Sequence, residues 1–216
     1  MDNSELRERL AVYYVADPEQ TNRNFLEIVE QALAGGATAV QLRAKQMSGR
    51  EMFDLGVLMR ERCAAWGALF FVNDRVDVGI AVAADGVHVG VNDLPLLETR
   101  ALVGADVIVG FSPVDAEGVR RAAERGADYV GVGPVFTTGS KSDAEPPLGV
   151  EGTAALAGLS PVPAVAIGGI QIESAGVIVR AGLDGVAVIS AIQGAADPRE
   201  AAAQLKREVE AAKLER

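Results

Sequence analysis

The chain has 216 residues, 49% of them hydrophobic, 23% charged and only 5% aromatic, with a formal net charge of -10 at pH 7. That is enough apolar material for a full core, and the acidic balance argues against a nucleic-acid surface, which needs a basic stripe. Phosphate ligands stay admissible, because a local basic pocket can sit in an acidic protein.

The N-terminal "MDNSELRERL" is charged and has no apolar signal-peptide core. Residues 3–10 suit a short helix. Strand-like apolar runs then follow at 11–17 (AVYYVAD), 39–43 (AVQLR), 69–74 (LFFVND), 86–90 (GVHVG), 107–112 (VIVGFS), 129–136 (YVGVGPVF), 164–170 (AVAIGGI) and 185–190 (GVAVIS). Helical patterns lie between them at 22–36, 49–67, 115–126 and 173–182, several ending in glycine, as helix C-termini prefer. An Ala/Glu/Lys-rich helix closes the chain at about 197–213.

Eight nearly continuous apolar strands separated by helices call for a parallel sheet covered on its faces. Eight such units in this length fit a single-domain α/β chain, a (β/α)8 TIM barrel of minimal size spanning 1–216, with 3–10 capping its floor or its mouth. A doubly wound open sheet is the alternative. The phrase "GADYVGV" at 126–132 returns loosely as "GLDGVAV" at 182–188, which supports repeated βα units. No linker or second domain is visible. The uncharged run 152–172 is broken by Pro161, Pro163 and glycines, so no transmembrane helix is expected. The single cysteine, Cys63, forbids an intrachain disulfide and suits a reducing, cytoplasmic setting; on its helical stretch it reads as a buried spectator thiol.

The informative pattern is where apolar strands turn polar. In a barrel the strand C-termini gather at one rim, where ligands bind. Here those ends carry Arg43 and Lys45, Asn73 and Asp74, His88 and Asp93, Ser112, then Thr138, Ser140 and Lys141, then Gly168 and Gly169, then Ser190. No one tripeptide is specific; the convergence is the signal. Each group has a plain structural reading beside the functional one. Arg43 and Lys45 are either exposed salt-bridging charges or a fork and a point charge for a polyanion. Asn73 and Asp74 are either a turn with a helix N-cap, or Asp74 is a hard oxygen ligand. Asp93 either caps the helix opening at Leu94–Pro95 or shares Mg2+ with Asp74; that ion typically takes one or two carboxylates plus substrate phosphates. His88, the only histidine, is either a hydrogen-bonded structural residue or faces the ligand. It leaves no zinc site and no Ser-His-Asp relay to defend. The glycines of "AIGGI" before "ESAG" make either a tight turn or an anion nest. Two anion sites result, one cationic and metal-bearing, the other built from neutral donors. A lone monophosphate would need only one of them.

At these residues the sequence resembles the thiamine phosphate synthase family. The resemblance covers nearly the whole chain: "YYVAD", "QLRAK", "FVNDRVDVGIAVAADGVHVGVNDLP", "VGFS", "GADYVGVGPVFTTGSK" and "AIGGIQIESAGVIVRAGLDGVAVISAI". The ordered set is specific although each piece is weak. The family is a (β/α)8 barrel that joins a pyrimidine diphosphate to a thiazole phosphate. The resemblance implies that Gln41, Leu42, Arg43, Ala44 and Lys45 bind the pyrimidine diphosphate, with Asn73 on the diphosphate and Asp74 and Asp93 on Mg2+. It also implies substrate contacts at His88 and Ser112. Thr138, Gly139 and Ser140 would hold the thiazole phosphate together with Gly169, Ile189 and Ser190, and Lys141 would reach the diphosphate. Catalysis would rest on Lys141, Arg43, Lys45 and Ser112. The implied partners are these two small molecules, with neither nucleic acid nor membrane. The chain departs from the family at Val91, where Gln is common, and at Thr137, where Pro is common. A related barrel, the thiazole tautomerase, relies on a histidine near the end of strand five; "VGFSPVDAE" has none.

Overall fold

A computed structural model describes residues 1–139 and 146–216. Eight parallel strands close into a barrel in sequence order: β1 (Val12–Ala16), β2 (Ala39–Leu42), β3 (Leu69–Asn73), β4 (Gly86–Gly90), β5 (Ile108–Ser112), β6 (Tyr129–Val132), β7 (Ala164–Ile167) and β8 (Gly185–Val188). Closure is made by β1 against β8, with Tyr13 beside Ala187. The open doubly wound sheet is thereby excluded.

Strand alternation splits the core in two. Along β1, Tyr13 and Val15 point inward with Leu69, Phe71, Tyr129 and Val165. Val12, Tyr14 and Ala16 point outward into the larger layer between sheet and helices. Each fully buried Leu, Val or Phe contributes roughly 1.5–3 kcal/mol relative to exposure, so this outer layer carries most of the apolar stabilisation. The strands end sooner than the apolar runs suggest, most clearly at β6, β7 and β8. At Gly133 a Cβ would lie 2.0 Å from the Ile167 carbonyl oxygen, so just past β6 the chain packs backbone to backbone on the end of β7.

The helices are α1 (Asn3–Arg9), α2 (Phe25–Ala34), α3 (Gly49–Ala65), α4 (Val76–Ala81), α5 (Leu96–Val103), α6 (Ala116–Arg121), α7 (Gly149–Ala157), α8 (Ile172–Arg180), α9 (Ser190–Gln193) and α10 (Pro198–Leu214). Side-chain caps set several starts: Asn24 for α2, Ser48 with Glu51 for α3, and Asp197 for α10. α1 lies across the floor, where Leu6 and Leu10 pack under Tyr13 and Leu69. Its Arg7 meets the Asp184 carboxylate at 2.5 Å.

The repeated phrase has a physical cause. Asp128 precedes β6 and accepts the Val109 N–H of β5 at 2.7 Å. Asp184 precedes β8 and accepts the Ala164 N–H of β7 at 2.9 Å. Asp85 does the same before β4 for Phe70 of β3, at 2.8 Å. Thr38 completes the set before β2, its Oγ1 accepting from Val12 of β1 at 3.0 Å. Each odd strand is thus tied at its start by a polar residue leading into the next even strand. The barrel is four βαβ quarters, each satisfying the first N–H that the ladder leaves over.

Candidate active site

The strand C-termini form the mouth, and the polar rim residues converge there. Arg43 follows β2, and its N–H donates to the Ala16 carbonyl at 2.9 Å. Its guanidinium is paired through Nη1 with Asp17, whose carboxylate is buried. Asp17 also accepts from the Glu19 N–H at 3.0 Å and from Gln20 Nε2 at 2.7 Å. Behind it, the Gln193 amide of α9 donates to the Asp17 carbonyl at 2.7 Å and accepts the Asp17 N–H at 3.1 Å. The Tyr14 hydroxyl donates to the same Gln193 oxygen at 2.8 Å. Arg43 is therefore aimed by a buried network spanning β1, β2 and α9, and its remaining N–H groups are available to an anion.

Asp74 sits just beyond β3 in the left-handed region, φ +60°, where Asp is one of the few side-chain-bearing residues tolerated. Its N–H donates to the His88 carbonyl at 2.9 Å. Lys45 Nζ lies 2.7 Å from its Oδ2. Asp93 folds back on its own loop, Oδ2 accepting the Gly90 N–H at 2.8 Å. Neither aspartate caps a helix: the N-cap positions of α4 and α5 are Arg75 and Pro95, and neither helix has a side-chain cap. The Asp74 carboxyl is pushed above the ordinary carboxylate range chiefly by burial; Lys45 opposes this and the neighbouring Asp93 carboxylate adds to it. Two carboxylates crowded at a partly buried rim could hold a small hard cation. No group of three or more His, Cys, Asp or Glu side chains gathers among the described residues, so water and phosphate oxygens would have to complete its shell. That donor set fits Mg2+ and is poor for zinc.

Beneath the mouth a chain of polar contacts crosses the barrel interior. Gln41 Nε2 donates to the Tyr13 hydroxyl at 2.7 Å. Tyr13 and Tyr129 hydroxyls meet at 2.8 Å. Tyr129 meets His88 Nδ1 at 2.9 Å, and His88 Nε2 meets Ser112 Oγ at 2.8 Å. The rings themselves pack: Tyr13 on Phe71 at 5.2 Å between centroids, Phe71 edge-on to Tyr129 at 5.7 Å. Glycines on β4 and β5 make the room. A Cβ at Gly86 would be 2.4 Å from the Phe71 ring, and one at Gly110 would be 2.2 Å from Tyr129.

On the opposite side of the mouth, the loops after β6 and β7 lie backbone to backbone. Phe136 donates to the Gly168 carbonyl at 3.0 Å. Gly168 and Gly169 have φ +102° and +66°, and a Cβ at Gly169 would meet the Thr137 carbonyl at 2.5 Å. Thr138 and Gly139 continue this rim, with Ile189 and Ser190 at the start of α9 beside it. Ser140 and Lys141 lie outside the described residues. Asn73 ends β3, in register with His88. Within the "QLRAK" segment, Leu42 and Ala44 stand apart from Gln41, Arg43 and Lys45. Their side chains are buried in the sheet–helix layer, because strand alternation sends only Gln41, Arg43 and Lys45 inward or to the mouth. From these two residues only the main chain can reach a ligand. Sequence reasoning missed Asp17, Gln193, Tyr13 and Tyr129. Asp17 was detectable as the polar residue ending the first apolar run; Gln193, on a four-residue helix, carries no sequence signal.

The sequence model of the family described as thiamine monophosphate synthase matches residues 12–192. The thiamine-phosphate synthase of Moorella thermoacetica is 49% identical over 184 residues, 85% of this chain and 88% of that protein. That of Pyrococcus furiosus is 42% identical over 205 residues, 95% and 97% of the two chains. A solved structure of thiamine phosphate pyrophosphorylase from Pyrococcus furiosus superposes with a TM-score of 0.87 at 39% identity, covering 96% of this chain and 98% of that one. A 3-hexulose-6-phosphate synthase structure, at 18% identity and a TM-score of 0.63, shares the fold alone. The chain therefore belongs to the thiamine monophosphate synthase family, enzymes of the transferase class in thiamine biosynthesis.

Proposed function

We propose that this chain couples 4-amino-5-hydroxymethyl-2-methylpyrimidine diphosphate with 4-methyl-5-(2-hydroxyethyl)thiazole phosphate, giving thiamine phosphate and diphosphate. The observation that carries this reading is the rim itself. Asp74 and Asp93 face one another beside Lys45, neither carboxylate serves as a helix cap, and Arg43 follows the neighbouring strand on its Asp17 anchor.

In this reading Asp74 and Asp93 hold Mg2+, which when bound neutralises diphosphate charge. Arg43 and Lys45 add fixed positive charge on the same oxygens, with Lys141 as a third donor. The bond between the pyrimidine methylene carbon and the diphosphate oxygen breaks with its electron pair leaving on oxygen. The electron-rich aminopyrimidine spreads the positive charge that develops on carbon. The thiazole nitrogen then forms the new C–N bond with its lone pair, and the positive charge stays on the ring as thiazolium. That nitrogen carries no proton, so no general base is needed. Thr138, Gly139, Ser140, Gly169, Ile189 and Ser190 anchor the thiazole phosphate and so aim its nitrogen at the carbon.

A coupling assay tests this. The protein is mixed with both substrates, with and without Mg2+, and thiamine phosphate and diphosphate are measured together. The reading expects equal amounts of both products, only when both substrates and Mg2+ are present. Thiamine phosphate formed at full rate in chelator would remove the metal from the account; no product under any condition would remove the reaction.

A further inference from the structure

We propose that the contacts inside the barrel form a one-way relay, Gln41 to Tyr13 to Tyr129 to His88 to Ser112. It fixes His88 as its Nε2–H tautomer and turns the Ser112 hydroxyl hydrogen into the mouth, where it donates to a lone pair on the ligand. This deepens the reading above and rests on it only for what the ligand is.

The direction follows from counting hydrogens. The Gln41 amide nitrogen can only donate, and it sits 2.7 Å from the Tyr13 oxygen. Tyr13 accepts there and is fully buried, so its own hydrogen must find an acceptor or remain unbonded at a steep cost. Tyr129 Oη, at 2.8 Å, is that acceptor. Tyr129 in turn gives its hydrogen to His88 Nδ1 at 2.9 Å. A neutral imidazole carries one ring hydrogen; with Nδ1 accepting, it lies on Nε2. Nε2–H then donates to Ser112 Oγ at 2.8 Å. Ser112 ends β5 at the mouth and is only partly buried, so its hydroxyl hydrogen is directed outward. Tyr13 and Tyr129 thereby act as positioning residues through Ser112.

A second observation shows that the path is built. β5 and β6 give up their side chains where it crosses. A Cβ at Gly110 would stand 2.4 Å from both His88 Nδ1 and the Tyr129 hydroxyl, and one at Gly131 would stand 3.2 Å from Ser112 Oγ. With larger residues there, Tyr129, His88 and Ser112 could not meet.

The test uses the fact that His88 is the only histidine. Nitrogen-15 NMR of protein labelled at histidine reports one imidazole. The expected result is a protonated Nε2 and a bare Nδ1 in the free protein; a protonated Nδ1 overturns the proposal. Two variants probe the direction. Tyr129→Phe removes the donor to Nδ1. Gln41→Glu replaces the amide donor with an acceptor and should reverse the whole chain. In Gln41→Glu the ring hydrogen is expected to move to Nδ1, which then donates to Tyr129; in Tyr129→Phe the ring loses the donor that anchors it. In both, kcat is expected to fall about tenfold or more, as for loss of an aimed donor, with the KM for thiazole phosphate little changed. Variants that keep the Nε2–H tautomer and wild-type turnover overturn the relay. If either fails to fold, the wild-type spectrum still decides. The spectrum needs no substrate, so a correct tautomer in a protein without coupling activity defeats the proposed reaction and leaves the relay standing.

Discussion

Replacing Asp17 by Asn should release Arg43. The Asp17 side chain is 1% exposed and that of Arg43 12% exposed. Asn keeps an oxygen for the Glu19 N–H and loses the charge facing the guanidinium. Removing one partner of a buried pair costs roughly 3–5 kcal/mol. Arg43 borders the mouth and retains some water, so the lower end applies, about 3 kcal/mol. At roughly 2–4 °C per kcal/mol for a chain of this size, the melting temperature should drop by about 6–12 °C. Chemical denaturation of Asp17→Asn, Arg43→Gln and the double variant gives the coupling directly. The double should be less destabilised than the two singles together by about 1 kcal/mol or more, as for residues in direct contact. In the coupling assay the KM for the pyrimidine diphosphate should rise about tenfold, equivalent to 1.4 kcal/mol of lost binding, while that for the thiazole phosphate holds. Strict additivity, with Asp17→Asn within 0.5 kcal/mol of wild type on the scale of ordinary surface changes, would refute the claim that this pair orients Arg43.

All three tyrosines of the chain, Tyr13, Tyr14 and Tyr129, are held protonated far above their ordinary range by burial, and burial pushes the Cys63 thiol up to about 12. The folded chain therefore keeps protons that the unfolded chain gives up, so stability is present below the ordinary values and falls as pH rises past about 9 for the thiol and about 10 for the tyrosines, at about 1.4 kcal/mol per pH unit for each group. Phenolate absorbance should appear together with loss of far-UV circular dichroism; a tyrosine ionising in the folded protein would contradict this. Lys141→Ala should cut turnover by about 10²-fold or more, and near-normal turnover at saturating Mg2+ would count against its role on the leaving group. Asp93→Asn should raise the Mg2+ concentration needed for half-maximal rate. Because the Asp74 carboxyl is raised, that concentration should also climb in the wild type as pH falls and protons compete for the site; an unchanged metal titration contradicts both. Gly110→Ala should cost roughly 1–3 kcal/mol or more by overpacking Tyr129 and His88, measured by urea denaturation; an unchanged midpoint would mean the interior is looser than its contacts imply.

Much of the fold could be read from the sequence because the apolar runs are nearly continuous, as buried parallel strands require. The helices α4, α7 and α9 were not singled out; none opens with a side-chain cap that would mark its start. Helix 115–126 was read too long: α6 ends at Arg121, and the following residues turn with bonds such as the Ala127 N–H to the Ala122 carbonyl. The rim was legible because polarity breaks each run at its C-terminal end. What the sequence could not separate was the cap reading of Asp74 and Asp93 from the ligand reading. Both readings need an aspartate after a strand; in the structure the carboxylates bond Lys45 and the Gly90 N–H, which removes the cap reading. Tyr13 and Tyr129 passed as apolar strand residues because a tyrosine's hydroxyl is invisible to a hydrophobic pattern. Their inward parity with Gln41 and His88, once strands are placed, is the signal that links them.

The most direct measurement is a crystal structure with Mg2+ and diphosphate bound. The account predicts a cation ligated by Asp74 and Asp93 and bridging diphosphate oxygens, with Arg43 and Lys45 on the same anion. Carboxylates turned away from any cation, with diphosphate bound elsewhere, would contradict it.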